Sequence, residues 1–172
     1  HWLATNGTAA IVCFPGIMYR GGAEKKIRKY LIENNYIESI IQLPDNLFYG
    51  TNIATCIMVL KKSKIDNKTL FIDASKESIK ATNSNRLDSK NIENILNVYK
   101  NRKTEAHLAT LVKQEDIEKE DYNLSVSTYV QTEDISEVID ISALNVEISK
   151  IVEQENALRI EIDEIIAEIE EA

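Results

Sequence analysis

Few residues in this chain have the types and spacing that catalysis or metal binding requires. The two histidines, His1 and His107, have no cysteine or carboxylate at metal-ligand spacing, which argues against a zinc or iron site. No serine lies in a G-x-S-x-G motif, and no glycines form a G-x-G-x-x-G or Walker-type turn for a nucleotide. The sequence therefore predicts no catalytic, cofactor-binding or metal-binding residue within these 172 residues.

One segment, residues 44–54, has the composition of a recognition loop. It connects two predicted strands, and eleven residues is long for such a connection, since long loops are often functional. It contains Leu47, Phe48, Tyr49 and Ile53, an unusual set for a solvent loop. These side chains either fold back onto the end of the sheet or form an aromatic platform on which a nucleobase stacks.

The elements that would position this loop read as an α/β fold. Nearly continuous apolar runs predict buried strands, as in a parallel sheet, at residues 8–14, 37–43, 56–60 and 70–73. Helical spacing predicts a helix over residues 23–34, with its basic residues, Arg28 among them, on or near the face opposite its apolar residues. Strand, helix and strand over residues 8–43 form a βαβ crossover. With one crossover helix, we expect one face of this sheet to be bare, so that further chain must cover it.

The middle of the chain is less regular. Residues 91–102 have the apolar spacing of an amphipathic helix, and a helical turn and a short strand are expected around Leu124. We divide the chain into residues 1–75, a sheet domain, residues 76–132, a mixed and helical extension, and residues 133–172, an acidic tail.

The tail has a heptad pattern. Apolar residues alternate in steps of three and four over about four repeats, and Glu155 fills the one missing position of the seam. The seam residues are Ile141, Leu144, Ile148, Ile151, Leu158, Ile162, Ile165 and Ile169. Such a seam predicts a long coiled-coil helix that docks on a partner; the alternative is an ordinary amphipathic helix lying on its own domain.

Charge divides the chain in the same way. Residues 133–172 carry 13 acidic residues against Lys150 and Arg159, a net charge of −11, whereas residues 1–132 carry +3. Because phosphates repel an acidic surface, the tail is expected to bind protein and not nucleic acid.

Other features bound the class of protein. No apolar run approaches the roughly 20 residues that span a bilayer, so no membrane partner is expected. Cys13 and Cys56 lie in apolar runs, which predicts two small buried core residues in a reducing cytoplasm; a disulfide between neighbouring strands is the alternative. The sequence opens at His1-Trp2 without methionine, which suggests a fragment of a longer chain.

Several linked motifs resemble one family. They include Gly7-Thr8-Ala9-Ala10-Ile11-Val12, Pro15-Gly16, Arg20-Gly21-Gly22-Ala23-Glu24, Ile27-Arg28-Lys29-Tyr30-Leu31, Ile40-Ile41-Gln42-Leu43-Pro44, Asn46-Leu47-Phe48-Tyr49-Gly50-Thr51, Ile53-Ala54-Thr55, Leu70-Phe71-Ile72-Asp73-Ala74-Ser75 and Asp121-Tyr122-Asn123-Leu124-Ser125. In this order they are similar to the C-terminal portion of the modification subunit of type I restriction–modification systems. These subunits are DNA adenine-N6 methyltransferases that use S-adenosylmethionine.

The resemblance has implications for the fold. It implies the C-terminal half of a Rossmann-like methyltransferase sheet, in which strands 8–14, 37–43 and 56–61 close the sheet with the third antiparallel between its neighbours. The family's glycine-rich cofactor loop and its Asn-Pro-Pro-Phe/Tyr motif are missing, since the only prolines are Pro15 and Pro44. Both motifs lie upstream in the family, so the resemblance implies that this chain alone is inactive.

The resemblance also implies roles for the loop and the tail. An aromatic residue of the loop, Phe48 first and Tyr49 second, would stack on an adenine flipped out of DNA. The tail would dock on the specificity subunit of a complex that also contains a restriction subunit and a second modification subunit. An alternative is a non-catalytic interaction module that acts through its coiled coil. A complete small nucleotide-binding domain is a third possibility, against which the missing phosphate loop argues.

Overall fold

The computed structural model describes residues 3–132 and 141–170. The chain divides into two compact units, residues 1–133 and residues 134–172, and each is described by itself. The first unit includes every described strand. The division of this unit at residues 75 and 76 stays a prediction.

The first unit is organised around a five-stranded mixed sheet. Its strands lie in the order β1-β3-β2-β4-β7 and comprise β1 (Thr8–Cys13), β2 (Ile37–Gln42), β3 (Cys56–Lys61), β4 (Lys68–Asp73) and β7 (Ala109–Lys113). A two-stranded hairpin, β5 (Ile79–Lys80) and β6 (Asn85–Arg86), lies between β4 and β7 in the sequence. The helices are α1 (Gly16–Tyr19), α2 (Ala23–Glu33), α3 (Ser89–Asn101), α4 (Gln114–Lys119) and α5 (Val126–Tyr129).

Strand directions follow the expected arrangement. β3 pairs antiparallel with β1 on one side and with β2 on the other, so β1 and β2 run in the same direction. β2 and β4 are parallel, and β7 closes the row antiparallel to β4. The crossover through α2 and the antiparallel third strand between its neighbours are therefore confirmed.

One face of the sheet carries a core with helices α1, α2, α4 and α5. Their buried side chains pack with Ile40, Met58 and Phe71 of the central strands. The Phe71 ring lies 4.3 Å from the Tyr129 ring, centroid to centroid. Burying this much apolar surface is the main favourable term in the stability of the unit.

The opposite face is not bare, and that expectation is wrong. Helix α3 packs Ile95 and Val98 against Val59, Leu70 and Ile72 of the strands. Its start is fixed by a capping box in which Asp88 and Asn91 exchange side-chain-to-backbone hydrogen bonds. The amphipathic pattern of this helix was visible in the sequence, but the face on which it packs was not.

Helix α3 leaves part of this face open. An apolar groove of about 370 Å³ lies between the helix and the β1–β3 side of the sheet, lined by residues that include Ala10, Ile57 and Leu96. Within the described residues β1 pairs on one edge only, and its Ile11 and Val12 are about half exposed.

The prediction of a short strand around Leu124 is also wrong. The strand lies earlier, at β7, and the chain around Leu124 is a turn between α4 and α5. Asp121 and Tyr122 both have positive φ, at 54° and 59°, which a strand cannot accommodate.

The second unit is described by one element, α6 (Ile141–Glu170), a helix of 30 residues. At 1.5 Å per residue it is about 45 Å long. The predicted long helix is therefore present, whereas the coiled coil stays a prediction.

Candidate functional site

The loop over residues 44–55 leaves the sheet where three parallel strands end. The carboxyl ends of β1, β2 and β4 lie on the same edge of the sheet, and the loop runs from β2 into β3 at that edge. In α/β sheets this is the edge at which ligands bind. The base of the loop is closed by a hydrogen bond of 2.9 Å from Leu43 N to Thr55 O. The Gln42 side chain adds bonds to the carbonyls of both residues, at 3.2 and 3.3 Å.

The loop is also held from the side by the β5–β6 hairpin. Asn85 donates its backbone N–H to Asn46 O at 2.8 Å, and its side-chain Nδ2 to both Asp45 O and Asp45 Oδ1 at 2.9 Å. Asn46 itself has a φ of 49°, a left-handed conformation that asparagine adopts more readily than most residues. Asn85 is therefore a supporting residue of the loop, and no motif in the sequence pointed to it.

The aromatic residues occupy the tip of this braced loop. Phe48 is 43% exposed and Tyr49 is fully exposed, and Ile53 is more than half exposed. The tip turns between them through Gly50, whose φ of 81° favours glycine, and Thr51 N donates to Phe48 O at 3.4 Å. Leu47 alone packs back onto the core below. Of the two alternatives, folding back onto the sheet therefore applies to Leu47, whereas the rings of Phe48 and Tyr49 remain accessible.

A cavity of about 280 Å³ adjoins the base of the loop. Gln42 and Cys56, which flank the loop, line it together with Tyr19, Asp73 and Ser125. Burial, with a smaller contribution from nearby Cys13, raises the pKa of the Cys56 thiol to about 11. This thiol is therefore protonated at neutral pH and is not a nucleophile.

Arg28 joins two of the segments whose neighbouring residues line the cavity. We expected this residue on or near the helix face opposite the apolar residues, and that expectation is wrong, because Arg28 is buried, with 3% of it exposed. Its guanidinium donates to Ile17 O at 2.8 Å and to Tyr122 O at 2.9 Å, joining α1 to the turn before α5. Leu124 N completes the joint with a bond of 2.8 Å to Met18 O. The segments 27–31 and 121–125 both belong to the resemblance, and in the structure they are in contact. Arg28 bonds to Tyr122 O, and Lys29 Nζ lies 5.4 Å from the centroid of the Tyr122 ring.

The described residues do not fit S-adenosylmethionine. The turns after β1, β2 and β4 contain Pro15, Pro44 and Ser75, and none is the glycine-rich turn whose backbone N–H groups hold a nucleotide. Asp73, the carboxylate of the cavity, already accepts the Ser75 N–H at 2.9 Å. None of these three turns therefore offers the backbone N–H groups that would hold that cofactor.

Metal and membrane features are likewise missing from the part of the chain that the structure describes. No three histidine, cysteine, aspartate or glutamate side chains there are grouped to hold a metal ion. His107 contacts Gln131 O through Nδ1 at 3.0 Å. No described helix is both long enough and apolar enough to cross a bilayer.

The docking residues predicted for the tail lie along α6. All eight apolar seam residues, from Ile141 to Ile169, are between 47% and 70% exposed. An apolar stripe of this length on a helix is typical of a surface that packs against another helix.

Comparisons with known proteins agree with the resemblance. Residues 1–138 match the family described as N-6 DNA Methylase. The chain is 47% identical to the Type I restriction enzyme MpnII methylase subunit of Mycoplasma pneumoniae, over 97% of this chain and 31% of that protein. It is 40% identical to the Type I restriction enzyme MjaVII methylase subunit of Methanocaldococcus jannaschii, over 93% of this chain and 28% of that protein.

A solved structure gives the same result. The type I restriction-modification system methyltransferase subunit from Streptococcus thermophilus is similar, with a TM-score of 0.71 and 43% identity. The match covers 73% of this chain and 27% of that one. The resemblance to type I modification subunits is thus confirmed, and the chain spans about a third of the length of these curated relatives.

Proposed function

Because this chain belongs to the N-6 DNA methylase family, we propose that it is part of the modification subunit of a type I restriction–modification enzyme. That subunit transfers a methyl group from S-adenosylmethionine to N6 of adenine in DNA, in the cytoplasm. The chain supplies the last strands of a Rossmann-like methyltransferase sheet and a docking helix. The cofactor loop and the catalytic motif are supplied by other residues of the longer protein, so this chain alone is inactive.

The aromatic loop tip is the observation that supports this proposal most directly. An adenine inside a duplex cannot present its amino group to a methyl donor, so enzymes of this kind extrude the base. An extruded base needs an apolar face to replace its lost stacking. Phe48, and after it Tyr49, supplies that face at the edge of the sheet where ligands bind.

Substitution in the full-length subunit, assembled with its partners, tests the stacking role. Base–aromatic stacking contributes about 1–3 kcal/mol per base, so Phe48→Ala should lower methylation of target DNA by roughly 5- to 150-fold. Affinity for S-adenosylmethionine, measured by calorimetry, should stay nearly unchanged. Phe48→Trp should retain most of the activity, because it keeps a stacking face. Ile53→Ala in the same loop is the matched control that removes apolar surface without removing a ring.

Unchanged methylation by both Phe48→Ala and Tyr49→Ala would contradict the stacking role. For this chain alone, a thermal-shift titration with S-adenosylmethionine should show no shift. A saturable shift would contradict the proposal that the cofactor site lies in other residues.

The tail provides the partner surface of the same proposal. We propose that α6 docks on the specificity subunit as part of a coiled coil, in a complex with DNA, a restriction subunit and a second modification subunit. Deleting residues 140–172 from the full-length subunit should then abolish co-purification with the specificity subunit. Retained assembly would contradict the docking role.

A non-catalytic interaction module is the second candidate function, and the exposed seam of α6 is the observation that favours it. In that case the full-length protein would bind its partner through α6 but would not methylate DNA in the assembled complex.

A further inference from the structure

The seam of α6 contains one charged residue, and its position is informative. In the heptad, Ile141, Ile148, Ile162 and Ile169 share the first seam position with Glu155. The seam runs from residue 141 to residue 169, so Glu155 stands at its midpoint. Like its apolar neighbours, Glu155 is exposed. A partner that covers the seam will therefore bury a carboxylate at the centre of the interface.

Either way of pairing two copies of this helix brings two glutamates together. A parallel pair in register places Glu155 directly opposite its counterpart in the same layer. A fully overlapping antiparallel pair sets each Glu155 against Leu158 of the other copy. The two carboxylates then occupy neighbouring central layers, about 4.5 Å apart along the axis. Two like charges that lose water this close to each other oppose association.

The other charges of the helix also oppose association of two copies. Over residues 141–170 the helix carries eight acidic residues against Lys150 and Arg159. A second copy would thus add repulsion, since each helix carries a net charge of −6 and seven of its eight acidic residues lie in residues 153–170, whereas a basic helix would be attracted.

We infer that Glu155 selects the partner of α6. It excludes a second copy of this helix and favours a basic amphipathic helix that has arginine or lysine in the facing layer. This inference rests on the proposed docking role of α6 and adds the chemistry of its partner. A buried charge at one seam position acts here as a specificity device, which costs some stability in exchange for partner choice.

Self-association of the 172-residue chain is the first test. We expect the chain to be monomeric by sedimentation equilibrium, and Glu155→Ile to tighten self-association by at least about tenfold. Glu153→Ile, midway between the seam residues Ile151 and Glu155 and therefore on the outer face of the helix, makes the same change of charge and is the matched control; it should leave the chain monomeric. Self-association of the unaltered chain as tight as that of Glu155→Ile would overturn the inference.

Two synthetic helical peptides are the second test. Both are 30 residues long, with isoleucine along the seam and lysine beside it, and they differ only in the central seam residue, arginine or glutamate. The chain should bind the arginine peptide at least about tenfold more tightly, and Glu155→Arg should reverse that preference. Equal binding of the two peptides, or binding of neither, would overturn the inference.

The two proposals fail separately. If deletion of residues 140–172 abolishes assembly but Glu155→Arg assembles as well as the unaltered subunit, the selecting role of Glu155 is wrong and the docking role stands. If the peptide preference holds but the deletion leaves assembly intact, the docking role on the specificity subunit is wrong.

Discussion

Replacing Arg28 with methionine would remove the joint between α1 and the turn before α5 while keeping most of the apolar stem. Arg28 is almost fully buried, and its guanidinium satisfies the carbonyls of Ile17 and Tyr122. Burial lowers the pKa of this guanidinium, and the nearby carboxylates of Asp121 and Glu24 oppose that shift. In Arg28→Met both carbonyls lose their donor.

The expected cost follows from these two bonds. A hydrogen bond to a charged group contributes about 1.5–3 kcal/mol, so losing two should destabilise the chain by about 3–6 kcal/mol. With a urea dependence of about 2 kcal/mol per molar, the unfolding midpoint should fall by about 2 M. The unfolding midpoint of Arg28→Lys should lie between those of the unaltered chain and Arg28→Met, because one ammonium on a shorter stem reaches the two carbonyls less well.

Urea denaturation followed by circular dichroism measures this loss in the 172-residue chain. Lys26→Met changes an exposed residue on the same helix and should stay within about 0.5 kcal/mol of the unaltered chain. Hydrogen exchange supplies a local measurement, since the Leu124 amide, which donates to Met18 O, should lose protection in Arg28→Met. A loss of stability below about 1 kcal/mol, with Leu124 still protected, would refute the assigned role of Arg28.

Two further predictions concern the loop and the half-buried Lys64. Asn85→Ala removes the side-chain bonds to Asp45, so we expect a loss of about 1–2 kcal/mol and faster hydrogen exchange across residues 44–52; unchanged exchange there would contradict the bracing role. Burial lowers the pKa of Lys64 from 10.5 to about 8 in the folded chain, although Glu38 opposes the shift. The folded chain therefore binds fewer protons than the unfolded chain between pH 8 and 10.5, and its stability should rise with pH in that window. The stability of Lys64→Met relative to the unaltered chain should accordingly fall from pH 8 to pH 10. A stability difference that stays constant over this range would contradict the lowered pKa of Lys64.

The regular elements could be predicted because their patterns are local. Strands β1 to β4 each contain consecutive apolar residues, although half of β2 and half of β4 is polar, and α2, α3 and α6 have apolar residues at helical spacing. β7 was not predicted, since its five residues become a strand only by pairing with the edge of β4. Asp121 and Tyr122 adopt positive φ in a turn whose Tyr122 carbonyl accepts from Arg28, a contact across 94 residues that no local pattern indicates.

The features of the candidate site that are local in the sequence could likewise be predicted, whereas those that depend on distant residues could not. The loop was recognised from its length and from Phe48 and Tyr49, which are features of a single segment. The support of the loop comes from Asn85, 40 residues away from Asp45, and the turn that precedes the cavity residues of α5 is held by Arg28, 94 residues away from Tyr122. A polar side chain that bonds to distant backbone leaves no periodic pattern in the sequence.

These distant contacts affect how well an exposed ring can bind a base. A mobile loop would spend about 1–2 kcal/mol per residue on ordering its backbone, which is comparable to the whole gain from stacking. Here the base of the loop is closed between Leu43 and Thr55, and its flank is bonded to Asn85. Only the tip around Phe48 and Tyr49 then remains to be ordered when a base stacks on it. The bracing by the hairpin therefore determines how much of the stacking energy appears as affinity for the extruded base. For this reason Asn85→Ala should weaken methylation in the full-length enzyme even though Asn85 lies outside the aromatic tip.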